Sequence, residues 1–405
     1  MLCQFTFRNY RSYRDEAELS MQATPMKEFE RSLIVCPDGQ GFLPVAAVYG
    51  PNAGGKSNLL EALDYVRSAV ARPIRLLSAS ADTAEGDRPS IPRCSAFGFD
   101  DVSAAEPTEF ELYYRVGDHE YRYVLSVHAD EIVSEGLWRR KLGASRTAML
   151  FEREDTKVEL GPTLRKLVTA ARFNPSLPYL SFLCINFDAP VVQEAASWFL
   201  DAVFLNYNSS YLERMLEQML DEGDSREVTR FLRAVDVRID GFRVERAPEW
   251  RGQRVFVRHE VGGKSYELRL SEESAGTQKL MGLAAYLMTA LERGGTVVVD
   301  ELDAKLHPKL LRYVILLFKD PEVNKSGAQL IFSSQDVSTM RNDVFRRDEI
   351  WFAARGEGEA SQLWSLADIH EANGNLVSKN AAFDKQYLSG RYGADPYLTR
   401  IEEWD

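Results

Sequence analysis

The apolar run Pro44–Tyr49 (PVAAVY) leads directly into Gly50-Pro51-Asn52-Ala53-Gly54-Gly55-Lys56-Ser57-Asn58, and helically spaced apolar residues continue from Lys56 to about Ala71. No other stretch constrains the chain as strongly. A continuous apolar run closed by Gly-Pro predicts a strand buried on both faces, as in a parallel sheet covered by helices. The order strand, G-x-x-x-x-G-K-S, helix is a phosphate cradle. Its glycines let successive backbone N–H groups turn onto phosphate oxygens, and the helix N-terminus adds partial positive charge. Lys56 reaches the outer phosphates and the Ser57 hydroxyl is a ligand for Mg²⁺. The plain alternative is a Gly-rich turn with a chance Lys-Ser pair.

Further along, Thr296–Val299 is a short apolar strand that ends in Asp300-Glu301. In a phosphate-binding fold such a strand end holds the metal. Because side chains alternate along a strand, Asp300 would hold Mg²⁺ through water and Glu301 would polarise an attacking water. A third apolar strand, Leu330–Phe332, runs into Ser333-Ser334-Gln335-Asp336.

With 405 residues the chain has room for two or three folding units, or one large α/β domain with an insertion. Sixty-one acidic against forty-nine basic residues give a net charge of −12, so the surface as a whole repels a phosphate backbone. Cys3, Cys36, Cys94 and Cys184 are too scattered for a disulfide framework or a zinc ribbon. The N-terminus lacks a signal peptide's apolar run, and no apolar stretch approaches the ~20 residues of a membrane span. A cytoplasmic protein without membrane contact is expected.

Residues 2–7 and about 18–21 predict strands, and 110–114 with 121–127 predict an antiparallel hairpin around Gly117-Asp118. Residues 72–95, with Pro73, Pro89 and Pro92, predict a loop. Leu164, Leu167, Val168 and Ala171, then Val192, Ala195, Ala196 and Phe199, then Tyr211, Met215, Leu216 and Met219 have helical spacing. Residues 254–270 predict a second hairpin around Gly262-Gly263, and 306–318, 328–333 and 349–353 a helix and two strands. The expected division is 1–155 as the first half of an α/β head, 156–250 as an inserted helical lobe and 251–405 as the second half. Arg139, Arg140, Lys141 and Arg146, and Arg341, Arg346 and Arg347, are expected on solvated faces.

Between the two halves lies Ser271-Glu272-Glu273-Ser274-Ala275-Gly276-Thr277-Gln278-Lys279-Leu280 at the start of an apolar helix. Taken with the P-loop and the Asp-Glu strand, this order resembles the ABC-type ATPases of the SMC, RecF and OLD (overcoming lysogenization defect) group. The resemblance implies an α/β fold, an ABC-type P-loop ATPase head with a mixed β-sheet and an inserted helical lobe, using ATP and Mg²⁺. It implies that Ser274, Gly276 and Gln278 bind the γ-phosphate of ATP held by another subunit; the plainer alternative is an N-capped helix with Ser271 or Ser274 as cap. Asp303 would lie at the dimer seam, and His307 before Pro308 continues the likeness or is merely structural. Gln335 stands where the group carries a His that senses the γ-phosphate. It can hydrogen-bond but not carry positive charge, so Glu301, Lys56 and Gln335 form a catalytic set expected to be slow. The group's Q-loop glutamine is not identifiable, and Asn186 is a weak substitute.

The opening Phe5-Thr6-Phe7-Arg8-Asn9-Tyr10-Arg11-Ser12-Tyr13 and the closing Gln386–Pro396 resemble a stand-alone abortive-infection branch of the group, of the RloA, AbiL and PARIS AriA type. The likeness covers residues 1–70 and 270–396. It implies an anti-phage ATPase that assembles as a homodimer or larger homo-oligomer and controls a separately encoded effector, a nuclease or other toxin, in response to a phage-encoded trigger. The stretch after Ser334 is too short for a fused TOPRIM nuclease. A DNA-binding repair or chromosome-maintenance ATPase of RecF/SMC type is the alternative, against the net charge, and a nucleotide clamp without turnover is a third.

Overall fold

The computed structural model describes residues 1–79, 90–168, 172–206, 225–235, 237–246, 253–371 and 374–394. Pro89, Ala171, Tyr211, Met215, Leu216, Met219, Asp395 and Pro396 lie outside them.

The alternating Phe5-Thr6-Phe7 segment forms β1 (Leu2–Arg8), which pairs antiparallel with β2 (Ala17–Ser20). A short pair, β3 (Ile34–Val35) and β4 (Gly41–Phe42), precedes β5 (Val45–Tyr49), whose residues are all buried. Helix α1 (Lys56–Ala79) and the short α2 (Asp101–Ala105) follow. An antiparallel meander then runs through β6 (Thr108–Val116), β7 (His119–His128), β8 (Glu131–Lys141), β9 (Thr147–Glu154) and β10 (Lys157–Leu160). Among the described residues these make one seven-stranded sheet in the order β10-β9-β8-β7-β6-β1-β2.

Between 156 and 250 the described residues hold α3 (Pro162–Arg165), α4 (Tyr179–Asn186), α5 (Pro190–Asp201) and α6 (Ser225–Ala234), but also β11 (Val203–Asn206) and β12 (Gly241–Arg246). Strand β12 completes a small sheet with the expected hairpin, β13 (Gln253–Val261) and β14 (Lys264–Arg269). The last part contains α7 (Ala275–Arg293), β15 (Thr296–Asp300), α8 (Pro308–Lys319), β16 (Gln329–Ser333), β17 (Ile350–Arg355), β18 (Ser361–Ser365) and α9 (Phe383–Leu388).

The central sheet has the order β11-β15-β16-β5-β17-β18, parallel except for β18. Its faces can be followed residue by residue. Ala46, Val48, Val298 and Ile331 join a core with α1, α4, α5 and the antiparallel sheet, while Val45, Ala47, Tyr49, Val297, Val299, Leu330 and Phe332 face α6 to α9. Burial on both faces explains why these strands are continuous apolar runs. Among the described residues no helix is long and apolar enough to cross a membrane.

Two expectations need correction. Residues 72–79 are helix, not loop, and Pro73 sits inside α1. A proline there removes one helix hydrogen bond. Packing outweighs that loss, because Val70, Ala71 and Ile74 are buried and the Ser181 hydroxyl of α4 donates to the Val70 carbonyl at 2.8 Å. Of the basic residues, Lys141, Arg146 and Arg341 are exposed as expected, but Arg139, Arg140, Arg346 and Arg347 are not on open faces. Arg140 pairs with Glu120, Arg139 lies 4.0 Å from Glu194, and Arg347 lies 2.7 Å from Glu28. Arg346 is wholly buried, forked onto both oxygens of Asp348 at 2.8 Å.

A second buried pair fastens the two layers together. Glu135 of β8 accepts from the Tyr123 hydroxyl and the Leu180 N–H at 3.0 Å, and from the Tyr179 N–H, while Arg153 of β9 lies at 3.5 Å. Pro178 offers no side-chain cap to α4, so Glu135 satisfies that helix start from the neighbouring sheet. Removing one partner strands the other charge in the interior. Glu135→Ala is therefore expected to lower unfolding free energy by about 3–5 kcal/mol, measured by urea denaturation.

Candidate nucleotide site

The ends of β5, β16 and β15 lie side by side on one edge of the parallel sheet, with β16 in the middle. Ligands of open α/β sheets bind outside such carboxyl ends. All three sequence motifs meet there: Gly50–Ser57 after β5, Ser333–Gln335 on β16 and Asp300-Glu301 on β15.

The β5–α1 loop is pressed against β17. A Cβ on Gly50 would lie 2.0 Å from the Ala353 carbonyl oxygen, and one on Gly54 would lie 2.4 Å from it. Gly50, Ala53 and Gly55 have φ of 150°, 61° and 108°. The Lys56 ammonium is buried and donates to the carbonyls of Gly50 at 2.8 Å and Pro51 at 3.0 Å. Burial lowers its pKa, while Asp300, Glu301 and Asp303 nearby favour the charged form. Ser57 is half-buried, Pro51 less exposed than its neighbours Asn52 and Ala53.

Several remote residues brace this loop. The Asn58 amide donates to Ser12 Oγ at 2.7 Å, and Ser361 Oγ donates to the same oxygen at 2.8 Å. The Tyr13 hydroxyl donates to the Gly55 carbonyl at 3.3 Å, and Arg355 Nε to the Ala53 carbonyl at 2.9 Å. Ser12 and Tyr13 lie in the N-terminal segment whose likeness was noted from sequence, yet only the fold links them to the P-loop.

At the acidic strand, Ser333 Oγ donates to Asp300 Oδ1 and accepts the Glu301 N–H at 2.7 Å. Glu301 is exposed and has φ of 53°. Left-handed backbone at a non-glycine residue costs on the order of 1–3 kcal/mol and concentrates at functional sites. Asp303 Oδ2 accepts the backbone N–H groups of Gln335 and Asp336, both at 3.1 Å. Its Oδ1 is buried without a hydrogen-bond partner among the described residues. The Gln335 side chain is exposed.

The Ser274 segment opens α7. Ser274 is the N-cap, its Oγ accepting the Thr277 N–H at 3.1 Å, and it is exposed. Capping and an accessible hydroxyl are therefore combined in one residue. Gly276 faces the loop after β15, where a Cβ would lie 3.2 Å from the Lys305 carbonyl oxygen. Gln278 donates to the Glu273 carbonyl at 2.7 Å. Lys279, which the sequence reading passed over, is buried and donates to the carbonyls of Glu301 at 3.2 Å and of Ala304. Burial pushes its pKa down to about 8. His307 caps α8, its Nδ1 accepting the Lys309 N–H at 3.1 Å, which is the structural role. Asn186 donates to the Phe182 carbonyl at 2.8 Å at the end of α4, and no described hydrogen bond ties it to the P-loop.

A side chain in the cradle would collide with Ala353, and Ser57 and Asp300 carry oxygens of the hard kind that could hold Mg²⁺. Gly54→Ala is expected to displace the loop and weaken Mg·ATP binding on the order of 10²-fold, read by calorimetric titration. Gly98→Ala, where a Cβ meets nothing within 4 Å, is expected to bind as the wild type.

Residues 45–341 match the family profile described as "AAA domain, putative AbiEii toxin, Type IV TA system". Among solved structures, the chain is similar to an SMC head bound to the C-winged helix domain of ScpA, at 13% identity over 90% of this chain and 97% of that one, with a TM-score of 0.46. It is also similar to the SMC head domain from Thermotoga maritima, at 13% identity over 90% and 98%, with a TM-score of 0.41. An SMC head from Pyrococcus furiosus bound to the C-terminal domain of ScpA aligns at 12% identity over 90% and 96%, with a TM-score of 0.41. No curated protein matches the chain. The profile match begins at the P-loop strand and runs beyond the Ser333–Gln335 strand end, so the chain belongs to this AAA-domain family of AbiEii type.

Proposed function

We propose that the protein is an ATPase of ABC type that binds Mg·ATP at the β5–β16–β15 edge, hydrolyses it slowly between two copies of itself, and serves a bacterial abortive-infection system by controlling a separately encoded toxic effector. One observation carries the ATPase reading: the P-loop, the Asp-Glu strand and the switch strand end on three adjacent parallel strands. The family match supports the defence setting. On this reading residues 1–155 and 251–405 are the two halves of the head, with 156–250 inserted between them.

Backbone N–H groups of the P-loop, Pro51 excepted, would hold the phosphates and Lys56 would move from its loop carbonyls onto the outer phosphate oxygens. Ser57 and Asp300 would hold Mg²⁺, which when bound would supply positive charge against the outer phosphates. Glu301, exposed beside Asp300, would orient the attacking water. Exposed Ser274, with the α7 N-terminus behind it, would meet the nucleotide of a second copy. Gln335 would donate to the γ-phosphate without contributing charge, which keeps turnover slow. Among the described residues Arg139, Arg140, Arg346 and Arg347 lie in intramolecular ion pairs, which argues against a DNA-binding role for them.

Glu301→Gln is expected to keep ATP affinity and lose turnover by on the order of 10²–10⁴-fold, measured by phosphate release. Unchanged turnover would remove Glu301 from its role, and ATP binding without hydrolysis in the wild type would leave only a clamp. Gln335→His is expected to raise turnover by about tenfold; no gain would show that this position does not limit the rate.

A further inference from the structure

The start of α7 and the loop after β15 touch at two points within one chain. Gly276 leaves room for the Lys305 carbonyl, and the Lys279 ammonium donates to the carbonyls of Glu301 and Ala304. The loop is held in an unusual shape, with Glu301 and Lys305 both left-handed at φ of 53° and 62°. Such residues persist only where their surroundings over-determine them. A buried ammonium donating to two loop carbonyls is a strong restraint of that kind. From the same loop Asp303 holds the N–H groups of Gln335 and Asp336. An unbroken set of hydrogen bonds thus runs from α7 through residues 301–305 to the switch loop.

We propose that Lys279 is a positioning residue that fastens the Glu301–Lys305 loop to the start of α7, so that seating Ser274 on a second copy's nucleotide and aligning Glu301 and Gln335 on the copy's own nucleotide are one mechanical event. This rests on the two-copy ATPase reading above. Lys279 acts through backbone: its donors meet carbonyls of the loop that carries the working side chains. Neither nucleotide affinity of a single head nor the P-loop should depend on it.

The test compares wild type, Lys279→Met and Lys279→Arg at saturating Mg·ATP. Met keeps the apolar stem and removes the donors, whereas Arg restores donors and charge. Lys279→Met is expected to keep the calorimetric Kd for ATP within about twofold and to lower kcat at least tenfold, roughly, which marks an interaction needed for turnover rather than binding. Lys279→Arg is expected to recover most of that loss. The proposal is overturned if Lys279→Met keeps its kcat, or if both variants lose kcat in step with lowered melting temperatures. Should Lys279→Met fail to fold, hydrogen exchange on the wild type decides: Mg·ATP should protect the amides of 301–305 and 335–336 together, and protection of one group alone would contradict the proposal. A wild type that binds no ATP would instead overturn the nucleotide reading, before any variant is made.

Discussion

The contact on which the site depends is between the P-loop and the carbonyl of Ala353. Gly50 and Gly54 approach that oxygen more closely than any side-chain-bearing residue could. β17 therefore sets the height of the loop above the sheet, and the pairing of β17 with β5 sets β17. Tyr13, Ser12 and Ser361 of the adjoining β18 make a second close contact, where a Cβ on Gly55 would lie 2.5 Å from Ser361 Oγ. A loop held at these contacts keeps positive φ at Gly50, Ala53 and Gly55 through the protein's own packing.

Buried ion pairs perform the same service for the layers. Arg153 with Glu135, Arg346 with Asp348 and Lys319 with Glu349 are all inside the protein. Arg346 also donates to the carbonyls of Met26 at 3.2 Å and Thr24 at 3.2 Å, which ties the stretch before β3 to the stretch before β17. Lys319 at the end of α8 lies 4.2 Å over the Phe29 ring. Pairs of this kind add little net stability but are costly to break, so they specify one arrangement of the layers.

What could be read from the sequence follows from where the signal lies. β5, β15 and β16 were legible because burial on both faces makes each a continuous apolar run, and the P-loop and Asp300-Glu301 because their residues are contiguous. β8 and β9 carry no clean alternation because Glu135 and Arg153 occupy interior positions where it expects apolar side chains. Pro73 reads as a breaker because its cost is local, whereas the packing of Val70, Ala71 and Ile74 is tertiary. The braces of the P-loop were invisible for a similar reason: Ser12 meets Asn58 across 46 positions and Ser361 across 349, and no spacing rule links them. Lys279 adjoined a recognised motif, but its acceptors are backbone carbonyls, which carry no side-chain identity to notice.

The composite site is tested most directly by mixing two disabled copies. Lys56→Ala cannot hold nucleotide but keeps Ser274, and Ser274→Arg keeps the P-loop but blocks the start of α7. Each alone should be inactive, and the mixture should regain ATP turnover from heads that pair one intact P-loop with one intact Ser274. If Ser274→Arg hydrolyses ATP alone at the wild-type rate, or if the mixture remains as inactive as its components, the nucleotide site is not shared between two copies.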